Sequence, residues 1–323
     1  MTNTNFAYDL EITLTDTSRG PDRLATGRVA GVCRLFGMSG GPEPVRATFW
    51  LLQAPDSLSQ QSRREPDGTG LGSFGADGTP IVSKQPLAAF RDREFAREAK
   101  AVTARTFVAH VRYASTGGLT PENTHPFEQE GRLLAHNGVI GDLPALEREL
   151  GDDLQLVRGE TDSERFFALI TREIRRAGDV AEGIATAAAW VAANLPVFAL
   201  NFVMITPSDL WALRYPDVHD LLVLERDAGG AAGSASPGGL EHASATRIRV
   251  TSEELARRPA VVVATERMDD DPGWRPLSSG ELLHVDGNLG VTSRRVLEVP
   301  PAHQLSLSDL GLRAAASQAG DAR

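Results

Sequence analysis

The chain has 323 residues, 41% hydrophobic and 24% charged, and its 33 basic against 43 acidic residues give a formal net charge of −10. That length holds one large domain or two modest ones, and an acidic balance with scattered arginines excludes a basic nucleic-acid-binding stripe. A single cysteine, Cys33, excludes an internal disulfide or a multi-cysteine metal site, and no apolar run approaches the ~20 residues of a membrane span.

Residues 1–32 have neither the basic nor the apolar segment of a secretory signal, so a cytoplasmic protein is expected. Cys33 then stands in the apolar run "RVAGVCRLFGMSGG". "RATFWLLQAPDSL" is apolar and leads into "SQQSRREPDGTGLGSF", whose polar and glycine-rich composition predicts a loop. Residues 86–102 carry Leu87, Phe90, Phe95 and Ala99 at helical spacing. "RTFVAHVRYAS" (105–115) alternates as a strand, with Val108, His110 and Arg112 on one side and Phe107, Ala109, Val111 and Tyr113 on the other.

"GRLLAHNGVIGD" (131–142) predicts a second strand, broken by the turn-forming pair Asn137-Gly138. Residues 161–178 predict a helix opened by Thr161 as N-cap, with Glu164 completing a capping box, and 181–195 predict a second helix. Strands follow at "FALNFVMIT", "DLWALRY" and "LLVLER". Residues 227–246 are Gly/Ala/Ser-rich and predict a flexible insertion in a hairpin. Strands resume at "RIRV", "AVVVATE" and "GELLHVD", and the tail 301–323 is expected to fray at "SQAGDAR". Strands at both ends with helices between them, and no regular β-α alternation, predict an α+β layered sandwich rather than a doubly wound sheet.

Several apparent motifs carry no chemistry. "DGTGLGSFGADG" lacks the Lys-Ser/Thr of a phosphate-binding loop, the histidines have no ligand spacing, and the acidic "MDDDPGW" reads as a solvated loop, so neither metal nor cofactor is expected. The polar residues that remain are Arg112, Asn123, His125, the pair Asn137-Gly138 and Asp162. Taken singly, each has a structural reading: an ion pair for Arg112, a turn for Asn137-Gly138, a helix N-terminus for Asp162.

Taken together, "CRLFG", "PDGTGLG", "HVRYASTGG", "NTHPF", "LLAHNG" and "TDSE", in this order, resemble the class II glutamine amidotransferases, which are N-terminal-nucleophile hydrolases. The resemblance spans about residues 33–300, is most specific between 33 and 165, and is nearest to free-standing members that begin Met-Cys-Arg-Leu-Phe-Gly. It implies a four-layer αββα sandwich and cleavage of the side-chain amide of glutamine, or of a γ-glutamyl amide, through a thioester on Cys33. In such enzymes the α-amino group of the nucleophile serves as the base. Asn137 and Gly138 would form the oxyanion hole, Arg112 would hold the substrate carboxylate with help from Ser115, and Asp162 would take the substrate ammonium. His110, Asn123 and His125 would support the pocket, and "SRREPDGTGLG" would lie near its mouth.

That chemistry requires Cys33 to be the first residue, yet 32 residues precede it. Two explanations are open: a cleaved pro-segment, or a misplaced start in which Val32 stands where the family carries its initiator methionine. Only two of the 33 basic residues are lysines, Lys84 and Lys100, a skew that fits a GC-rich genome in which GTG starts are common. The second explanation is therefore preferred. No synthase module follows the core, so ammonia would pass to a separate acceptor enzyme. Alternatives are a γ-glutamyl hydrolase of one biosynthetic intermediate and a non-catalytic glutamine-binding subunit. Neither nucleic acid nor membrane is an expected partner.

Overall fold

The structure is a computed structural model that describes residues 33–63, 67–112, 118–228, 240–243, 249–252 and 258–318. Its strands begin with β1 (Arg34–Ser39), β2 (Gly68–Phe74), β3 (Pro80–Gln85), β4 (Thr106–Arg112), β5 (Phe127–Gln129), β6 (Arg132–Ile140), β7 (Pro196–Ile205) and β8 (Leu210–Arg214). They continue with β9 (Leu222–Arg226), β10 (Leu240–Ala243), β11 (Arg249–Ser252), β12 (Ala260–Ala264), β13 (Arg275–Pro276), β14 (Glu281–Val285), β15 (Val291–Arg295) and β16 (His303–Gln304). The α-helices are α1 (Leu58–Gln61), α2 (Arg93–Ala101), α3 (Leu143–Leu150), α4 (Asp162–Ala177), α5 (Val180–Asn194) and α6 (Leu312–Gln318).

Two seven-stranded sheets stack on each other. One runs β13-β9-β12-β1-β4-β2-β3, and the other runs β15-β14-β8-β7-β6-β5 with β16 added in parallel beside β7. Both faces of the central strands are apolar, and the period of two sends alternate residues to different layers. Leu35, Val108, Leu133, Ala135, Val203 and Val263 fill the space between the sheets. Phe36, Met38, Phe107, Ala109 and Val262 face Phe49, Trp50 and Phe95 in the helical layer beyond the first sheet. Leu134, Phe202 and Met204 face Phe166, Ile170, Ile184 and Ala188 of α4 and α5 beyond the second. This is the α+β αββα sandwich expected. No helix among the described residues is long and apolar enough to cross a membrane.

Three local readings are corrected. Residues 68–74 form a fully buried strand rather than a loop. A Cβ on Gly70 would lie 1.9 Å from the His125 carbonyl oxygen, so a glycine that resembles a turn signal instead lets another backbone segment close over the strand. The helix expected from residue 86 begins at Arg93, where the Asp92 carboxylate accepts the Glu94 and Phe95 N–H groups at 2.9 and 3.2 Å. Asn137-Gly138 makes no turn: β6 runs straight through the pair, and the chain reverses instead at Glu130 and Gly131, with φ of 50° and 73°.

α4 is capped as expected at Thr161, whose Oγ1 accepts the Glu164 N–H at 3.2 Å, but only half of the capping box forms. The Glu164 carboxylate accepts the Gly159 N–H at 2.6 Å instead, because the preceding loop brings that orphan donor closer. Within the expected insertion, β10 pairs with β11, while 229–239 and 244–248 lie outside the described residues, as do the leader 1–32 and Ser115. Of the segment 317–323 expected to fray, Ser317 and Gln318 are instead buried in α6, and 319–323 lie outside the described residues.

Candidate active site

Cys33 immediately precedes β1, the middle strand of the first sheet, and is buried. The β1–β4 register pairs Arg34 with Val111, so the next step brings Cys33 opposite Arg112 at the end of β4. Alternation along β4 puts His110 and Arg112 on the same side as Val108, facing the second sheet.

The second sheet contributes Asn137 and Gly138 from the middle of β6, paired with Asn201 and Leu200 of β7. The Asn137 Nδ2 donates to the Cys33 carbonyl at 3.0 Å, a bond that joins the two sheets across 104 residues of chain. The Asn137 Oδ1 is buried without a hydrogen-bond partner among the described residues. Gly138 cannot carry a side chain, because a Cβ there would sit 1.8 Å from the Ala199 carbonyl oxygen. Asp162 is the first residue of α4, where the helix dipole favours a carboxylate. Its Oδ2 accepts the Ile140 N–H at 2.9 Å, fastening the helix to the end of β6.

These residues line one small cavity of about 20 Å³, which Cys33, Arg112, Asn137, Gly138 and Asp162 share with His110 and His125. Burial pulls the Arg112 pKa down from its ordinary value, opposed by the charges of Cys33, Asp67 and Asp162 and reinforced by Arg313 of α6. The Arg112 Nη1 donates to the Gly118 carbonyl at 3.3 Å.

His110 and His125 pack ring against ring, with centroids 4.3 Å apart. Their ring nitrogens have no hydrogen-bond partner among the described residues. Burial, with Arg112 and neighbouring imidazoles adding to it, lowers His110 to about 3 and holds His125 well below the usual histidine range. Both imidazoles are therefore neutral at physiological pH, and Arg112 keeps the cationic role to itself among these three. Asn123 is not among the described residues lining the cavity. Its Oδ1 accepts the Glu160 N–H at 2.8 Å and its Nδ2 donates to Gly118 O and Glu160 Oε2 at 3.3 and 3.2 Å, bracing the loop before α4.

Four lining residues were not expected in the pocket: Thr161, expected only as the cap of α4, Ser163, His136 and Gln318. His136 precedes Asn137 in "HNG"; its Nε2 donates to the Ala199 carbonyl at 3.2 Å, so its Nδ1 accepts from the Ser163 hydroxyl at 2.9 Å. Burial lowers its pKa, with Asp162 and the Ala199 carbonyl opposing. Its place inside a motif already singled out was a usable signal. Gln318 reaches the cavity from α6, and no local pattern in the sequence marks it.

Comparison with known proteins places this arrangement. Residues 32–305 match the family described as class II glutamine amidotransferases. Over 179 residues the chain is 27% identical to the glutamine–fructose-6-phosphate aminotransferase (isomerizing) of Bradyrhizobium diazoefficiens, covering 55% of this chain and 28% of that protein. Over 168 residues it is 28% identical to the probable glutamine amidotransferase DUG3 of Saccharomyces cerevisiae, covering 46% of this chain and 47% of that one. The chain thus spans less than half the length of either relative. The glutamine phosphoribosylpyrophosphate amidotransferase of B. subtilis shares the fold, with a TM-score of 0.56 at 21% identity over 83% of this chain and 50% of that one. A match reaching from the residue before the lone cysteine to the β16 region covers most of the sequence, and the chain belongs to the class II glutamine amidotransferases.

Proposed function

We propose that the protein hydrolyses the side-chain amide of glutamine, or of a γ-glutamyl amide, through a thioester on Cys33. The observation that carries this reading is that the lone buried cysteine shares one small pocket with Arg112, Asn137, Gly138 and Asp162. In the working enzyme Cys33 is the first residue, and 33–300 is the catalytic domain. An α-amino group, with an ordinary pKa of roughly 7.7–8.0, then takes the thiol proton, because a thiol near pKa ~8.5 supplies little thiolate alone. The thiolate attacks the γ-carbonyl carbon.

The developing oxyanion is met by Asn137 Nδ2 and the Gly138 N–H. One Nδ2 hydrogen is committed to the Cys33 carbonyl, which leaves the other for the substrate. The C–N bond breaks as the α-ammonium returns its proton to the leaving nitrogen, and water cleaves the thioester to release glutamate. Arg112 holds the substrate α-carboxylate, and Asp162 holds its α-ammonium. Opposite charges at the two ends select a free γ-glutamyl group over other amides. The ammonia passes to a separate acceptor enzyme.

The test is glutamate release from L-glutamine by protein verified to begin at Cys33, beside its Cys33→Ala variant and the full chain with Met1 intact. Only the first should turn over. Undiminished activity of Cys33→Ala, or equal activity with Met1 in place, would refute the mechanism. N-terminal sequencing of protein from the native host checks where the working chain begins.

A further inference from the structure

The Cys33 cavity, at about 20 Å³, has room for about one water molecule. A γ-glutamyl amide needs more space than that. Most of the cavity's described walls are strands of the two sheets or the first turn of α4. Gln318 is different: it hangs on a seven-residue helix whose first residue, Leu312, is 94% exposed. Its side chain is held from outside α6 by the His219 Nε2, which donates to the Gln318 Oε1 at 2.9 Å.

Gln318 also lines a second cavity, of about 590 Å³. That space is within the usual range for a small-molecule site. Phe198, Val218, Leu305 and Leu307 make it largely apolar, and burial lowers the pKa of His219, so that ring is neutral as well. No arginine, lysine, aspartate or glutamate is among its described lining residues.

We propose that this cavity is the subsite for the leaving amine of a γ-glutamyl amide, opened to Cys33 when the Gln318 side chain swings aside, and that it takes an uncharged, apolar or aromatic amine. The inference rests on the hydrolase reading above and narrows its substrate. Ammonia needs no such space, whereas a bulky amine does, and the described lining offers no opposite charge to a carboxylate or ammonium on the leaving group. The reaction balances as amide plus water giving glutamate plus amine: the C–N bond breaks, the Cys33 ammonium supplies the proton to the amine, and water replaces sulfur at the acyl carbon.

The experiment compares L-glutamine, γ-glutamyl-p-nitroanilide and γ-glutamylglycine as substrates of the protein beginning at Cys33. The anilide should be cleaved with higher kcat/KM than γ-glutamylglycine, whose leaving group is charged. Val218→Trp, which fills the cavity, should lower kcat/KM for the anilide by about tenfold or more while leaving glutamine within about twofold. Leu307→Glu, at a half-exposed rim position, should act in the same direction and guards against misfolding of the first variant. Cleavage of glutamine without cleavage of the anilide, or equal losses on both substrates in both variants, overturns the subsite but leaves the hydrolase reading standing. Cleavage of none of the three overturns the hydrolase reading, and the subsite with it.

Discussion

Replacing Asp162 by asparagine removes one negative charge from the pocket and little else. The new side chain keeps an oxygen able to accept the Ile140 N–H now held at 2.9 Å, and Thr161 still caps α4. The buried carboxylate is 3% exposed, so water screens it poorly. A hydrogen bond from a substrate ammonium to a carboxylate contributes about 1.5–3 kcal/mol, which corresponds to a loss of roughly 10–150-fold in kcat/KM for glutamine. The assay pairs glutamine with 5-amino-5-oxopentanoate, which is glutamine without its α-amino group. The parent protein should prefer glutamine by about the same factor, and Asp162→Asn should bring the two substrates to near parity, because the partner of the ammonium is gone. An Asp162→Asn protein that kept the full preference while losing activity on both substrates alike would refute the assignment. Asp162 would then act only through its bond to β6.

Other expectations concern the frame of the site. Gly138→Ala places a methyl carbon 1.8 Å from the Ala199 carbonyl oxygen, so β6 and β7 must separate, at a cost of about 3 kcal/mol or more; an unchanged denaturant midpoint would contradict this. Thr161→Ala removes the acceptor of the Glu164 N–H and should cost about 1 kcal/mol in equilibrium unfolding, with no change in helix content of the folded state. His110 is held at about 3 by burial, against an ordinary 6.5 for histidine, so below pH 6.5 the unfolded chain binds a proton that the folded chain refuses. Stability therefore falls as pH drops from 6.5 toward 3, by up to about 1.4 kcal/mol per pH unit for this one group. His110→Gln should flatten the unfolding free energy against pH in that window, and an equally steep curve would count against it.

The parts of the molecule legible from the chain alone are those governed by neighbours in sequence. Alternation in "TFVAHVR" is a property of the extended backbone, so the placement of His110 and Arg112 with Val108 needed no knowledge of a partner strand. The bounds of α4 follow from Thr161, which caps its start, and from Gly178, which adopts φ 69° at its end. Readings failed where a glycine had two uses. In β2 and at Asn137-Gly138, glycine resembles a turn signal, yet its function there is to let another strand or loop approach closer than any Cβ would permit. Which use applies depends on what lies across the sheet, and that is invisible in a local window.

The sequence by itself determined the chemical inventory: one cysteine, an arginine and a carboxylate on predictable elements, and an Asn-Gly pair, in the order that marks the family. Only the tertiary structure decided how they meet. The β1–β4 register sets Cys33 opposite Arg112, the stacking of a second sheet brings Asn137 to the Cys33 carbonyl from 104 residues away, and α6 puts Gln318 in the lining of two cavities. Alternation and capping are local and written in a few residues. Register, sheet stacking and the docking of a terminal helix arise from packing among segments far apart in the chain, and no short stretch of sequence encodes them.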